Sequence, residues 1–139
     1  MTTSPVIFGD PEALLIGHLV TAFAARTETY KATSVGIGFP AASGYHVQVE
    51  LEVGNADAYP VTERAQVRVN CWAPKGKRSD VKDLASLTMA LVNSYDGDAE
   101  ATGAHVIGGR SAVIPDPDSG YLMCWFLARV NLKATLLAS

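Results

Sequence analysis

Apolar residues along this chain follow two periods, one near 3.6 residues and one of two. In GDPEALLIGHLVTAFAAR, Leu15, Leu19, Ala22 and Phe23 recur at helical spacing, with Ile16 and Val20 beside them. Asp10 is a good N-cap. Pro11 takes the first helical position, where its missing N–H costs nothing, and Glu12 suits the positive end of the helix dipole. The spacing predicts a helix over Pro11 to Arg26, with Arg26 at its negative end. Gly36, Gly38, Pro40 and Gly44 then leave room only for a short strand near Thr33 to Phe39. From Tyr45 the period becomes two. Tyr45, Val47, Val49, Leu51 and Val53 face one way, and His46, Gln48, Glu50 and Glu52 the other. After the loop GNADAYP, Ala65, Val67, Val69 and Cys71 alternate with Arg64, Gln66, Arg68, Asn70 and Trp72. The two runs predict a hairpin whose polar faces coincide, so Glu50 and Glu52 are expected to pair with Arg64 and Arg68.

Beyond the turn PKGKR, Ser79 is expected to cap a second helix, DVKDLASLTMALVNSY. Its stripe is Val81, Leu84, Thr88, Leu91 and Tyr95, widened by Ala85 and Val92. DGDAEATG reads as loop. HVIGGRSAVI and GYLMCWFLARVNLKA predict a second hairpin across PDPDSG, with Leu122, Cys124, Phe126, Ala128, Val130 and Leu132 sharing one face. The element order predicts an α+β fold, an antiparallel β-sheet with two α-helices packed on one face. No repeat, low-complexity tract or linker divides the chain, so residues 1–139 are expected to form one domain. Leu15, Leu19, Phe23, Val67, Val69, Leu84, Leu91 and Phe126 form the expected core.

Composition narrows the class. A 48% hydrophobic, 18% charged chain of 139 residues is not disordered, and its low charge suits a surface covered by a partner. Eleven Lys+Arg against fourteen Asp+Glu give a net charge of −3, which excludes a generally basic nucleic-acid coat. MTTSPVIFGD has no basic leader, and no run approaches the ~20 apolar residues of a membrane span. A soluble protein made in the cytosol is expected. Cys71 and Cys124 lie in apolar strand runs and read as buried, reduced thiols.

Searching for chemistry leaves little. His18, His46, His105, Cys71 and Cys124 have no metal-ligand spacing, so ordinary histidines are expected. There is no G-x-S-x-G, and a thiol on an apolar strand face stays protonated. Gly76 and Lys77 match only the end of a P-loop: Cys71 stands where its first glycine belongs, and Arg78 where its Ser or Thr belongs. Lys75, Lys77 and Arg78 therefore read as a solvated basic turn or, functionally, as a contact for a phosphate or acidic partner. Asp116-Pro-Asp118 reads as a turn. Neither a catalytic site nor a cofactor or metal is expected, and the chain reads as a non-enzyme.

What stands out is the sheet face away from the helices. Trp72 ends one strand beside Arg68, and Tyr121, Met123, Trp125, Leu127 and Arg129 share the second face of the last strand. A strand apolar on both faces needs a second cover, either the chain's own loops or a neighbouring subunit. Arg64, Arg68, Trp72 and Trp125 are the expected interface residues, with the basic turn as a secondary contact.

A helix opening P-V-x-x-G-D-P-E-A-L, a strand pair ending A-Q-V-R-V-N-C-W-A, the helix D-L-A-S-L-T-M-A-L-V and a closing hairpin follow in order. This layout resembles the tail terminator (tail completion) proteins of long-tailed, non-contractile bacteriophages. The likeness spans nearly the whole chain and is best at Val67 to Ala73 and the Asp83-Leu84-Ala85 helix. It implies a structural virion protein of the tail's neck region, assembled in the host cytoplasm. Such a protein forms a homohexameric ring that caps the tail tube, ends its polymerisation and joins the head connector. Its partners would be its own copies, the tail tube protein and a head-completion or stopper protein, with DNA passing through the lumen without specific binding. The alternatives are another head-to-tail connector, a stopper or adaptor, and outside that biology a small α+β ligand-binding or enzymatic domain.

Overall fold

In the computed structural model, which describes residues 6–38, 44–52 and 64–136, Asp10 starts the first helix. Its Oδ1 accepts from the backbone N–H of Glu12 at 2.9 Å and of Ala13 at 3.4 Å. Helix α1 (Pro11–Ala24) buries Leu15, Leu19 and Phe23. It ends two residues earlier than its periodicity predicts, because Ala25 caps it and Arg26 turns aside to pair with Glu28. Lys31 supplies the cation at the negative end instead. Its Nζ donates to the carbonyls of Phe23 (3.2 Å) and Arg26 (2.8 Å).

Helix α2 (Arg78–Asn93) has Lys77, not Ser79, at its N-cap, and no side chain closes that end. Asp80 provides the negative charge in the first turn and accepts a hydrogen bond from the Tyr45 hydroxyl, which pushes the Tyr45 pKa up to about 12. The buried stripe is Val81, Leu84, Ala85, Thr88 and Val92. Leu91 lies one step off it and is only half-buried, unlike the core position expected for it. Neither helix is long and apolar enough to cross a membrane.

Six strands form one sheet: β2 (Ser34–Gly36), β3 (His46–Leu51), β4 (Arg64–Ala73), β5 (Ala101–Ile107), β6 (Ile114–Pro115) and β7 (Leu122–Leu132). The order is β2-β3-β4-β7-β5, with β6 pairing the start of β7. All pairs are antiparallel except β2 with β3, which is parallel. The fold is therefore α+β, with a mixed, mostly antiparallel sheet. Short strands β1 (Val6–Phe8) and β8 (Ala134–Leu136), which the period-two pattern does not reveal, make a separate antiparallel ribbon from the two ends of the described chain. Phe39, Val53, the loop GNADAYP and the first residues of VTERAQVRVNCWA lie outside the described residues.

Register places Val49 opposite Val69 and Val69 opposite Phe126, a row of fully buried side chains across three strands beneath the helices. The expected loop before the second hairpin instead yields the start of β5. Asp98 turns the chain by accepting the N–H groups of Glu100 and Ala101. A bulge then brings Gly103 (φ +143) against the end of α2. A Cβ at Gly103 would lie 2.6 Å from the Tyr95 carbonyl oxygen, so only glycine lets the strand pass there.

Cys71 and Cys124 face each other across β4 and β7, both free and buried. Burial pushes the Cys71 thiol up to about 12 and raises Cys124 as well. Unfolded cysteines ionise near ~8.5. Below that pH the raised folded pKa costs no stability. As pH rises beyond it the unfolded thiols ionise, and stability falls progressively towards the folded pKa. Native protein at pH 8 is expected to resist a thiol reagent at both positions, and denatured protein to react at both. Fast native labelling at Cys71 would show that the strand face is open.

Candidate functional site

β3, β4 and β7 turn their second faces away from the helices. Alternation puts Gln48 and Glu50, then Arg64, Arg68, Asn70 and Trp72, then Met123, Trp125 and Leu127 on this outer face. Register sets Glu50 opposite Arg68, Gln48 opposite Asn70, and Asn70 opposite Trp125.

Among the described residues, Glu50 and Arg68 do not make the direct ion pair expected of them. Glu50 and Arg68 both converge on Asn70, which is 4% exposed. Arg68 Nε donates to Asn70 Oδ1 at 3.0 Å, and Asn70 Nδ2 donates to Glu50 Oε1 at 2.6 Å and to Gln48 Oε1 at 3.0 Å. A short amide between the two charged chains intercepts them. Its fork binds both, while its burial in the sheet leaves it no solvent alternative. Glu52, exposed just beyond β3, is not among the residues that Asn70 binds. With its Nε held by Asn70, Arg68 lies over the Trp125 ring, its Cζ 4.5 Å from the ring centroid. Trp125 and Arg68 are half-buried.

Trp72 departs from expectation. It is 8% exposed rather than left in water, and its indole N–H donates to Gln48 Oε1 at 3.1 Å. An indole this deeply buried needs a partner for its N–H, and Gln48 supplies it. Arg64 is exposed at the other end of β4. Lys75 and Lys77 are exposed in the turn after β4 and Arg78 at the first position of α2, so the ten-residue strand separates them from Arg64. Lys75 runs alongside Gly120 of the β6–β7 turn. The structure thus brings Arg68 and Trp125 together, links Trp72 to Asn70 through Gln48, and leaves Arg64 and the basic residues after β4 at opposite ends of that strand.

Sequence reasoning missed Gln48 and Asn70. A signal existed: asparagine is depleted in strands, so one in the middle of an alternating run points to a buried hydrogen-bonding role.

The histidines are held by their own structure. His46 is buried, with Nε2 2.7 Å from the Gly38 carbonyl and Nδ1 2.6 Å from Ser34 Oγ. A carbonyl only accepts, so Nε2 carries the proton and Nδ1 accepts from the hydroxyl. Burial lowers the His46 pKa, and the carbonyl only partly opposes that. The ring clamps the chain after β2 onto the sheet. His18 stacks on Tyr95 at 4.6 Å and meets the Leu91 carbonyl at 2.8 Å, joining α1 to the end of α2. Beside it a hollow of about 360 Å³ includes Asp98, which accepts from the Tyr95 hydroxyl at 2.8 Å. Among the described residues no three His, Cys, Asp or Glu side chains are placed to hold a metal ion.

The chain matches no protein-family model, and no curated protein is significantly similar to it.

Proposed function

We propose that this chain is a structural subunit of a phage tail neck. In this reading its copies assemble into a ring that caps the tail tube, ends tube growth and presents a face to the head connector. The reading rests on the sequence resemblance. The single structural observation that supports it is the Arg68–Trp125 stack, fixed by Asn70 on a sheet face that neither helix covers. Aromatic and arginine side chains already locked in one geometry are what a docking surface uses, since little side-chain entropy remains to be lost on contact. Half-buried Met123 and Leu127 extend that surface along β7. A ring of identical subunits joins unlike faces of neighbouring copies.

Light scattering and electron microscopy of the purified chain test the reading. Closed rings that bind the ends of tail tubes are expected. Trp125→Ala and Arg68→Glu are expected to stay folded and to weaken assembly by about thirtyfold or more per contact. A chain that remains monomeric, or variants that cap tubes at normal length, would overturn it.

A further inference from the structure

The two ends of the described chain make a ribbon that belongs to no larger sheet. β1 and β8 pair only with each other, and a two-stranded ribbon alone is barely stable in water. Phe8 ties it to the core, while Ile7 between its neighbours is 50% exposed. Each strand keeps one edge with unpaired backbone groups among the described residues.

Among the described residues, a matching open site lies at the far end of α1, where β2 is the edge of the main sheet and α1 overhangs it. Between them runs a groove of about 400 Å³ whose apolar walls include Val20, Phe23, Ala24 and Val35. Val20 is 51% exposed, so the helix carries an apolar flank that its own sheet is too narrow to cover. The ribbon precedes the start of the fourteen-residue helix and the groove begins at Val20, about 14 Å further along its axis, so one copy cannot fill its own groove.

Charge assigns the occupant. At the ribbon end, Asp10, Glu12, Asp98 and Glu100 stand beside Lys133. At the groove end, Arg26 and Lys31 stand beside Glu28. An acidic end and a basic end on one molecule attract head to tail between copies and repel head to head.

We infer that the chain binds a second copy of itself head to tail, the β1–β8 ribbon of one copy entering the groove between α1 and β2 of the next and placing Ile7 against Val20. The ribbon continues the neighbour's sheet beneath the overhanging helix, supplying backbone partners to β2 and apolar cover to α1. Such a contact joins unlike surfaces and so propagates around a ring. This inference rests on the ring reading and names the contact that builds it.

Cysteine placement tests it in the full chain. Ile7→Cys and Val20→Cys are made singly and together, and treated with a short bis-maleimide; the unsubstituted chain controls for Cys71 and Cys124. Mixed single variants are expected to give a covalent dimer containing one of each, the double variant a ladder of higher oligomers, and either single variant alone no dimer. Ile7→Asp is expected to weaken self-association at least about tenfold while the subunit's own unfolding is unchanged, since Ile7 is exposed within it. Rings that form without the mixed cross-link, or a dimer from Ile7→Cys alone, would overturn the ribbon contact and leave the ring reading intact. A chain that stays monomeric in light scattering would overturn both.

Discussion

Phe126→Ala is expected to destabilise the folded chain by about 3–5 kcal/mol, measured by urea denaturation. Phe126 is fully buried in β7, the strand flanked by β4 on one side and by β5 and β6 on the other. It stands opposite Val69, and α2 packs across the same strand. The ring is fully buried in the packed core, so little of the cavity it leaves closes by relaxation, and the loss approaches the upper part of the range for such truncations. Leu91→Ala supplies the internal contrast. Its side chain is only half-buried, and the truncation is expected to cost less than about 2 kcal/mol. Equal losses at the two positions would mean that α2 turns a different face to the sheet.

Asn70→Ala is expected to cost about 2–3 kcal/mol and also to disturb the outer face. Both ends of the amide bond charged partners, Arg68 and Glu50, and hydrogen bonds to charges contribute ~1.5–3 kcal/mol each. The partners are half-exposed, so solvent recovers part of that and the sum stays below the simple total. Without Asn70 the guanidinium loses its tether over Trp125, and Glu50 is left free to approach Arg68 directly. Tryptophan fluorescence reports the first change, and urea denaturation the stability. A variant within 0.5 kcal/mol of the parent, with an unchanged spectrum, would show that Asn70 does not hold the network together. On the proposed reading the variant also assembles poorly although it alters neither Arg68 nor Trp125, because the loss is one of preorganisation.

Local chemistry determined most of the elements by itself. Asp10-Pro11-Glu12 defines the start of a helix through caps and dipole, and alternation in HVQVEL and RAQVRVNCWA decides which side chains enter the core. The helix-covered α+β sheet follows from those periods. Arg26 and Ser79 were misplaced because helix ends depend on where the chain goes next: Lys31 folds back to the carbonyls that Arg26 leaves, and α2 begins one residue before Ser79. Leu91 fits a helical stripe as well as Val92 does; only the direction from which the sheet approaches α2 separates them.

On the outer face, residue types alone determined that arginine and tryptophan share a surface. Tertiary structure decided how. The alternation of β4 places Asn70 between Arg68 and Trp72, but only the registers of β3 and β7 bring Glu50, Gln48 and Trp125 to it, turning the expected Glu50–Arg68 ion pair into an amide-centred network with Trp72 covered. The parallel pairing of β2 and the β1–β8 ribbon join segments by backbone hydrogen bonds across the fold. Three-residue strands are too short to carry a period, so such pairings leave no mark in the order of side chains and exist only once the rest of the molecule has positioned their backbones.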